Sequence, residues 1–153
     1  MEKTFVIIKP GMVQRGLIGE VIKRFEQKGL RLAGMKMTLL NDEILTQHYA
    51  HLKDKPFFGQ IKQSMCACPV ILCCWEGVEA VQVVRNMTGS TNSRSAVPGT
   101  IRGDFGMSVQ ENIIHSSDST EAAIEEINRF FLPEELYDYS MNLSAYLYAD
   151  DEL

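Results

Sequence analysis

Apolar residues recur along the chain with two different periods, and the switches between them predict the order of elements. Lys3 to Lys9 reads as a strand, because Thr-Phe-Val-Ile-Ile is β-branched and aromatic. Ile18, Val21, Ile22 and Phe25 then fall at helical spacing, with Lys23, Arg24, Gln27 and Lys28 on the other side and Gly29 as the stop. Arg31 to Leu40 is a second strand. Asn41 or Asp42 is placed to cap a helix through about Leu52, and a short helix follows from Phe57. Pro69 to Trp75 is the third strand, and Val78 to Met87 the next helix, closed by Gly89. Ser90 to Gly106 is rich in Gly, Ser, Thr and Pro and carries no periodicity, and a loop of that size in a compact domain is usually functional. Asn112 to His115 is a short fourth strand. Asp118 is expected to cap the last helix with Glu121 as its box partner, Ala123, Ile127, Phe130 and Phe131 form its buried stripe, and Pro133 ends it. Residues 139–153 read as an irregular tail.

The resulting order, β-α-β-α-β-α-β-α, predicts helices covering a sheet, and the pattern leaves parallel and antiparallel pairing open. With 153 residues and no repeat, linker or low-complexity tract, the expectation is a single domain over 1–153. Apolar residues at 45% are enough for a core, which excludes disorder. Fifteen Lys and Arg against twenty Asp and Glu give 15 − 20 = −5, which argues against a general binder of nucleic acid or of a membrane surface. The only apolar run near the N-terminus has four residues, too short for a signal segment or a membrane span. Cys66, Cys68, Cys73 and Cys74 crowd into nine positions and raise the idea of zinc. Adjacent residues of a strand point to opposite faces, however, so Cys73 and Cys74 read as packed, reduced thiols suited to a cytoplasmic setting.

Neither G-x-x-x-x-G-K-[ST] nor G-x-G-x-x-G occurs, so any nucleotide site must rely on side chains. His115 stands where a strand gives way to a capped helix, beside free backbone N–H groups and the positive helix end. Glu126 flanks the apolar stripe of that helix in one row with Ala123 and Phe130, and a carboxylate on a buried edge needs a partner. A bond between Glu126 and one ring nitrogen of His115 would fix the tautomer and leave the other nitrogen bare and nucleophilic. Lys9, Arg85 and Arg102 lie among Gly, Thr and Ser, and with Thr91 they could clamp a polyphosphate. One ring of the Phe57-Phe58 pair is available to stack on a base, and Tyr49 is a less telling candidate.

The segments Ile8-Lys-Pro, Val13-Gln-Arg-Gly16, His48-Tyr49, Pro56-Phe-Phe58, Gly99-Thr-Ile-Arg-Gly-Asp-Phe105, Asn112-Ile-Ile-His115 and Ser117-Asp-Ser119, in this order and spacing, resemble the nucleoside diphosphate kinases. The resemblance runs from Lys3 to about Tyr139. It implies a ferredoxin-like βαββαβ α/β sandwich with a four-stranded antiparallel sheet, assembled into homo-hexamers or sometimes tetramers. His115 would accept the γ-phosphoryl group of ATP or another nucleoside triphosphate and pass it to a nucleoside diphosphate, with little base selectivity. Glu126 and Ser117 would orient its ring. Lys9, Arg85, Thr91 and Arg102 would hold the phosphates beside Mg²⁺, the metal being carried mainly by the nucleotide and not by protein ligands. Asn112 and Lys9 would hold the ribose, Phe57 the base, and Ile61 and Val109 would pack near it, with Tyr49 also at the nucleotide. Cytoplasmic location and the absence of membrane or specific nucleic-acid partners complete what the resemblance implies.

Four departures from the family pattern stand out. Gly11 replaces a carboxylate, Ser116 follows the histidine where Gly or Ala is usual, Ser93 replaces a loop proline, and the cysteine-rich third strand is atypical. On that basis Ser93→Pro is expected to stiffen the loop. A nucleotide-binding oligomeric scaffold with reduced turnover is the alternative reading, favoured only by Gly11 and Ser116.

Overall fold

A computed structural model describes residues 1–142 and 144–152; Leu143 and Leu153, which fall in the expected tail, lie outside the described residues. Four strands, β1 (Glu2–Ile8), β2 (Arg31–Thr38), β3 (Val70–Gly77) and β4 (Ile114–Ser116), form one sheet in the order β2-β3-β1-β4. Every pairing is antiparallel, with Val6 opposite Cys73 on one side of β1 and Ile7 opposite His115 on the other. That settles the question the pattern left open, and the fold is the antiparallel α/β sandwich expected from the resemblance.

β1 sits at the centre, and its side chains alternate between two layers of core. Val6 and Ile8 pack with Cys73, Trp75, Val21 and Phe25, under helices α2 (Ile18–Lys28) and α5 (Ala80–Thr88). Phe5 and Ile7 pack with Leu72, Cys74, Leu45 and Phe130, under α3 (Asp42–His48), α4 (Phe58–Met65) and α7 (Thr120–Phe130). The Phe5 ring stacks on Phe130 with centroids 4.8 Å apart. Truncating a buried ring of this kind to alanine costs about 3–5 kcal/mol. Cys73 and Cys74 do belong to opposite layers, which separates the two thiols.

Several boundaries shift for identifiable reasons. The helix expected through Leu52 stops at His48 and continues as a single 3₁₀ turn, Ala50–Leu52. Asn41 caps α3, accepting from the Ile44 N–H at 2.9 Å. The helix expected from Val78 begins at Ala80, because Glu79 is left-handed at φ 50° and cannot be its first turn. α7 is capped by Ser119, which accepts from the Ala122 N–H at 3.1 Å, and not by Asp118 with Glu121 as box partner. It ends at Phe130, and Pro133 opens a separate 3₁₀ turn. The fourth strand is Ile114–Ser116, beginning two residues and ending one residue later than expected, because the backbone turns at Ile113. Two short helices were not anticipated. α1 (Pro10–Gln14) starts on a proline at its first position, and α6 (Ile101–Phe105) lies inside the segment expected to be structureless. Thr100 caps α6 by accepting from the Gly103 N–H at 3.0 Å. Among the described residues no helix is long and apolar enough to cross a membrane.

The two departures in backbone chemistry now have local settings. Gly11 lies in α1 with ordinary φ, and a Cβ there would meet only Ile113 Cγ2 at 3.9 Å. Gly11→Ala should therefore stabilise by roughly 0.4–1 kcal/mol, by narrowing the unfolded ensemble. Ser93 is buried, its hydroxyl has no partner among the described residues, and its N–H donates to the Ser108 carbonyl at 3.3 Å. Proline would lose that bond, so the gain expected from Ser93→Pro is opposed. Ser93→Ala, which removes only the orphaned hydroxyl, should melt higher than both the parent and Ser93→Pro. Thermal melts at fixed protein concentration check all three variants.

Candidate active site

A cavity of about 770 Å³ opens on the α3–α4–α7 side of the sheet, between α4 and the 85–112 segment. Its wall holds Lys9, Tyr49, Phe57, Ile61, Arg85, Thr91, Arg102, Val109, Asn112, His115 and Glu126. Every candidate from the sequence is thus brought together except Ser117, which lies fully buried just behind His115. Phe57 faces the cavity while its neighbour Phe58 packs toward the core, so the two rings divide the roles left open between them.

His115 reaches the cavity from β4 next to an unusual turn. Ile113 has φ 66°, and the Ile114 N–H donates to the Asn112 carbonyl at 2.8 Å, the i to i+2 bond of the strained γ-turn form. A β-branched residue in this region costs on the order of 1–3 kcal/mol and persists only where its surroundings hold it. Arg102 supplies that hold. Its Nε donates to the Asn112 carbonyl at 3.2 Å, one terminal nitrogen to Ile114 O at 2.7 Å, and the other to Gly89 O at 3.0 Å. The Lys9 N–H donates to Ile113 O at 3.0 Å, and Lys9 Nζ donates to Asn112 Oδ1 at 2.7 Å. Asn112 Nδ2 donates in turn to Val109 O at 2.9 Å and Thr91 O at 3.3 Å.

The Glu126 carboxylate is held from two sides. His115 Nε2 lies 2.9 Å from Oε1, and the Ser117 hydroxyl donates to Oε2 at 2.6 Å. Ser117 Oγ accepts the Phe5 N–H at 3.2 Å, so the same hydroxyl ties α7 to the central strand. Burial opposes ionisation of Glu126, but the bonds from His115 and Ser117, with the Arg129 charge, outweigh it and hold the carboxyl below its ordinary pKa. An ionised carboxylate only accepts, so the His115 nitrogen facing it, Nε2, is the one that carries a proton and donates to Glu126.

Positive charge gathers opposite this pair without carboxylate partners. Burial and the neighbouring Arg102 bring the Lys9 ammonium down to about 8, with Glu111 pulling the other way. Burial and Arg85 bring Arg102 down to about 10. Lys9, Arg85 and Arg102 form no ion pair among the described residues. Three mutually repelling cations at one cavity make a receptor for a multiply charged anion. Tyr49 adds a buried hydroxyl with no partner, its ionisation suppressed first by burial and then by Glu126. Ser116, flagged as a departure, also faces the cavity.

Two residues at this site had no role assigned from the sequence. His48 was visible only within the His48-Tyr49 pair, and its ring stands 4.6 Å from that of His115. Arg129 lies three residues beyond Glu126 on α7, a spacing that alone was the available signal.

Ser117→Ala should destabilise by about 1.5–3 kcal/mol at neutral pH, the scale of a hydrogen bond to a charged group. A depressed carboxyl contributes stability that is full above its unfolded pKa and is lost as pH falls through the folded value. The gap between Ser117→Ala and the parent should accordingly narrow as urea melts are moved from pH 7 to below pH 4.

Comparison with known proteins extends over the whole fold. The family model described as nucleoside diphosphate kinase matches residues 2–136. A nucleoside diphosphate kinase of Parabacteroides distasonis is 64% identical over 152 residues, covering 99% of both chains. Nucleoside diphosphate kinase A of Homo sapiens is 50% identical over 147 residues, covering 96% of this chain and 97% of the relative. Among solved structures, a nucleoside diphosphate kinase of Halobacterium salinarum in complex with CDP superposes with a TM-score of 0.95 at 43% identity, covering 97% of this chain and 99% of its own. With the match spanning nearly the full length in both sequence and fold, the chain belongs to the nucleoside diphosphate kinase family.

Proposed function

We propose that this enzyme moves the γ-phosphoryl group of a nucleoside triphosphate such as ATP to a nucleoside diphosphate through a phosphohistidine at His115. The observation that carries the reading is one cavity holding a histidine whose Nε2 is engaged by Glu126, opposite three cations that form no ion pair among the described residues. The Nδ1 lone pair attacks the γ-phosphorus, the bond to the bridging oxygen breaks, and the nucleoside diphosphate leaves with the electron pair. The Nε2 proton stays between His115 and Glu126 throughout, and the ionised carboxylate stabilises the charge that the ring acquires. A second diphosphate then reverses the step at the same site.

Lys9, Arg85, Thr91 and Arg102 are assigned to the phosphates, Asn112 and Lys9 to the ribose. Phe57 is assigned to the base, with Ile61 and Val109 beside it and Tyr49 near the phosphates. A stacked ring and apolar neighbours read a π-face that every base has, hence little selectivity. Mg²⁺ fits as a rider on the nucleotide's own phosphate oxygens, because Glu126 is already engaged by His115 and Ser117 and the nearest side chains are cationic. When bound, it neutralises phosphate charge. Residues 1–153 are read as one domain, cytoplasmic in setting, assembling as a homo-hexamer or tetramer. The alternative of a scaffold without turnover gains no support from Gly11 or Ser116, since neither displaces a group that binds His115.

The test is covalent labelling with a γ-labelled triphosphate and Mg²⁺. The protein should carry an acid-labile, base-stable label that His115→Gln abolishes and His51→Gln does not; label surviving in His115→Gln would sink the assignment. Arg85 is exposed and braces nothing, so Arg85→Ala should lower kcat/KM about tenfold for every nucleotide alike, near the low end for a charged hydrogen bond. Loss confined to one base would contradict a phosphate role.

A further inference from the structure

We propose that Arg129 and His48 are positioning residues that reserve one oxygen of Glu126 for His115. The inference rests on His115 being the phosphoryl acceptor. His48, at the end of α3, has a side chain only 1% exposed, and its ring stands at 81° to that of His115. Arg129 brings a guanidinium nitrogen to 3.3 Å from His48 Nδ1. A guanidinium has donors only, so this contact requires Nδ1 to be the acceptor and puts the His48 proton on Nε2, which is buried and finds no acceptor among the described residues, a cost that the Arg129 contact has to offset.

The consequence lies in a competition. His48 Nδ1 is 3.9 Å from Glu126 Oε1, the same oxygen that receives His115 Nε2 at 2.9 Å. The other tautomer of His48 would present an N–H toward that oxygen and offer it a second, rival donor. Arg129 removes the rival by occupying Nδ1, and its charge also favours the ionised form of Glu126 one turn back on the helix. Burial first, then the charges of His115, Arg129, His51 and Lys9, keeps His48 neutral, with its pKa pushed down to about 2. The titratable and charged groups facing this cluster are His51 and Tyr49 after α3, Lys9 after β1, Arg102 on α6, His115 on β4, and Glu126 and Arg129 on α7. His48, His115 and Glu126 do offer three ligand atoms within 4.8 Å of one another. A guanidinium seated on one of those nitrogens, however, favours a hydrogen-bond relay over a cation site.

The experiment compares ¹⁵N spectra of the histidine rings in nucleotide-free protein with the pH profile of the single-turnover labelling rate, in the parent, Arg129→Met and Arg129→Lys. In the parent His48 should be the Nε2–H tautomer at every pH from 5 to 9. Arg129→Met should populate the Nδ1–H form and move the acid limb of the rate profile upward by roughly half a pH unit, since loss of a nearby positive charge weakens what holds the Glu126 carboxyl down. Arg129→Lys should restore both. An unchanged His48 tautomer and acid limb in Arg129→Met, with only a lower melting temperature, would overturn the proposal. Should Arg129→Met not fold, Arg129→Gln keeps a donor without the charge; it should retain the tautomer and still shift the acid limb, and an unshifted limb overturns the proposal. Failure of the parent to label at His115 would strike the function assigned above, while the ring spectra would still decide whether Arg129 sets the His48 tautomer.

Discussion

The Glu126 carboxylate is the junction on which the rest of the site depends. One oxygen takes the His115 ring and the other takes the Ser117 hydroxyl, which itself holds the Phe5 N–H of the central strand. A single buried charge thereby links α7, β4 and β1. Burying it unpaired would cost several kcal/mol, so the fold must bring donors to it, and the His115 ring, as one of those donors, is fixed in orientation by the same bond. Stability and chemistry are in this respect one arrangement.

Against that anchor stands a second constraint, the γ-turn at Ile113. It aims His115 into the cavity at the expense of a left-handed isoleucine, and Arg102 and Lys9 hold its carbonyls in place. Both residues therefore have two tasks. They stabilise a strained backbone, and they leave positive charge in a cavity with no carboxylate paired to it among the described residues.

Much of this was legible in the chain. The β-branched run at Thr4–Ile8, the stripe Ile18–Phe25 and the stripe Ala123–Phe131 pointed to the core, while the antiparallel pairing came only from the family resemblance. The pairing of His115 with Glu126 followed from a carboxylate placed on a buried helix edge. What stayed hidden depends on tertiary contact. No local signal marks Ile113 as left-handed, because its residue type argues the opposite. Ser119 rather than Asp118 caps α7, its backbone extended and its hydroxyl on the Ala122 N–H, a choice of backbone that two adjacent capping residues leave open in the sequence. α6 went unseen because it has only five residues, too few to show a helical period. His48 and Arg129 are far apart in sequence and meet only because α3 and α7 share a face of the sheet.

The central claim is that Glu126 holds Nε2 of His115 and so assigns the reaction to Nδ1. It is tested most directly by ¹⁵N–³¹P correlation on phosphoprotein prepared with ¹⁵N-labelled histidine. The account predicts phosphorus coupled to Nδ1 of His115, with Nε2 still carrying its proton. Phosphorus coupled to Nε2 would mean that the Glu126 bond does not orient the ring in the working enzyme, and would contradict it.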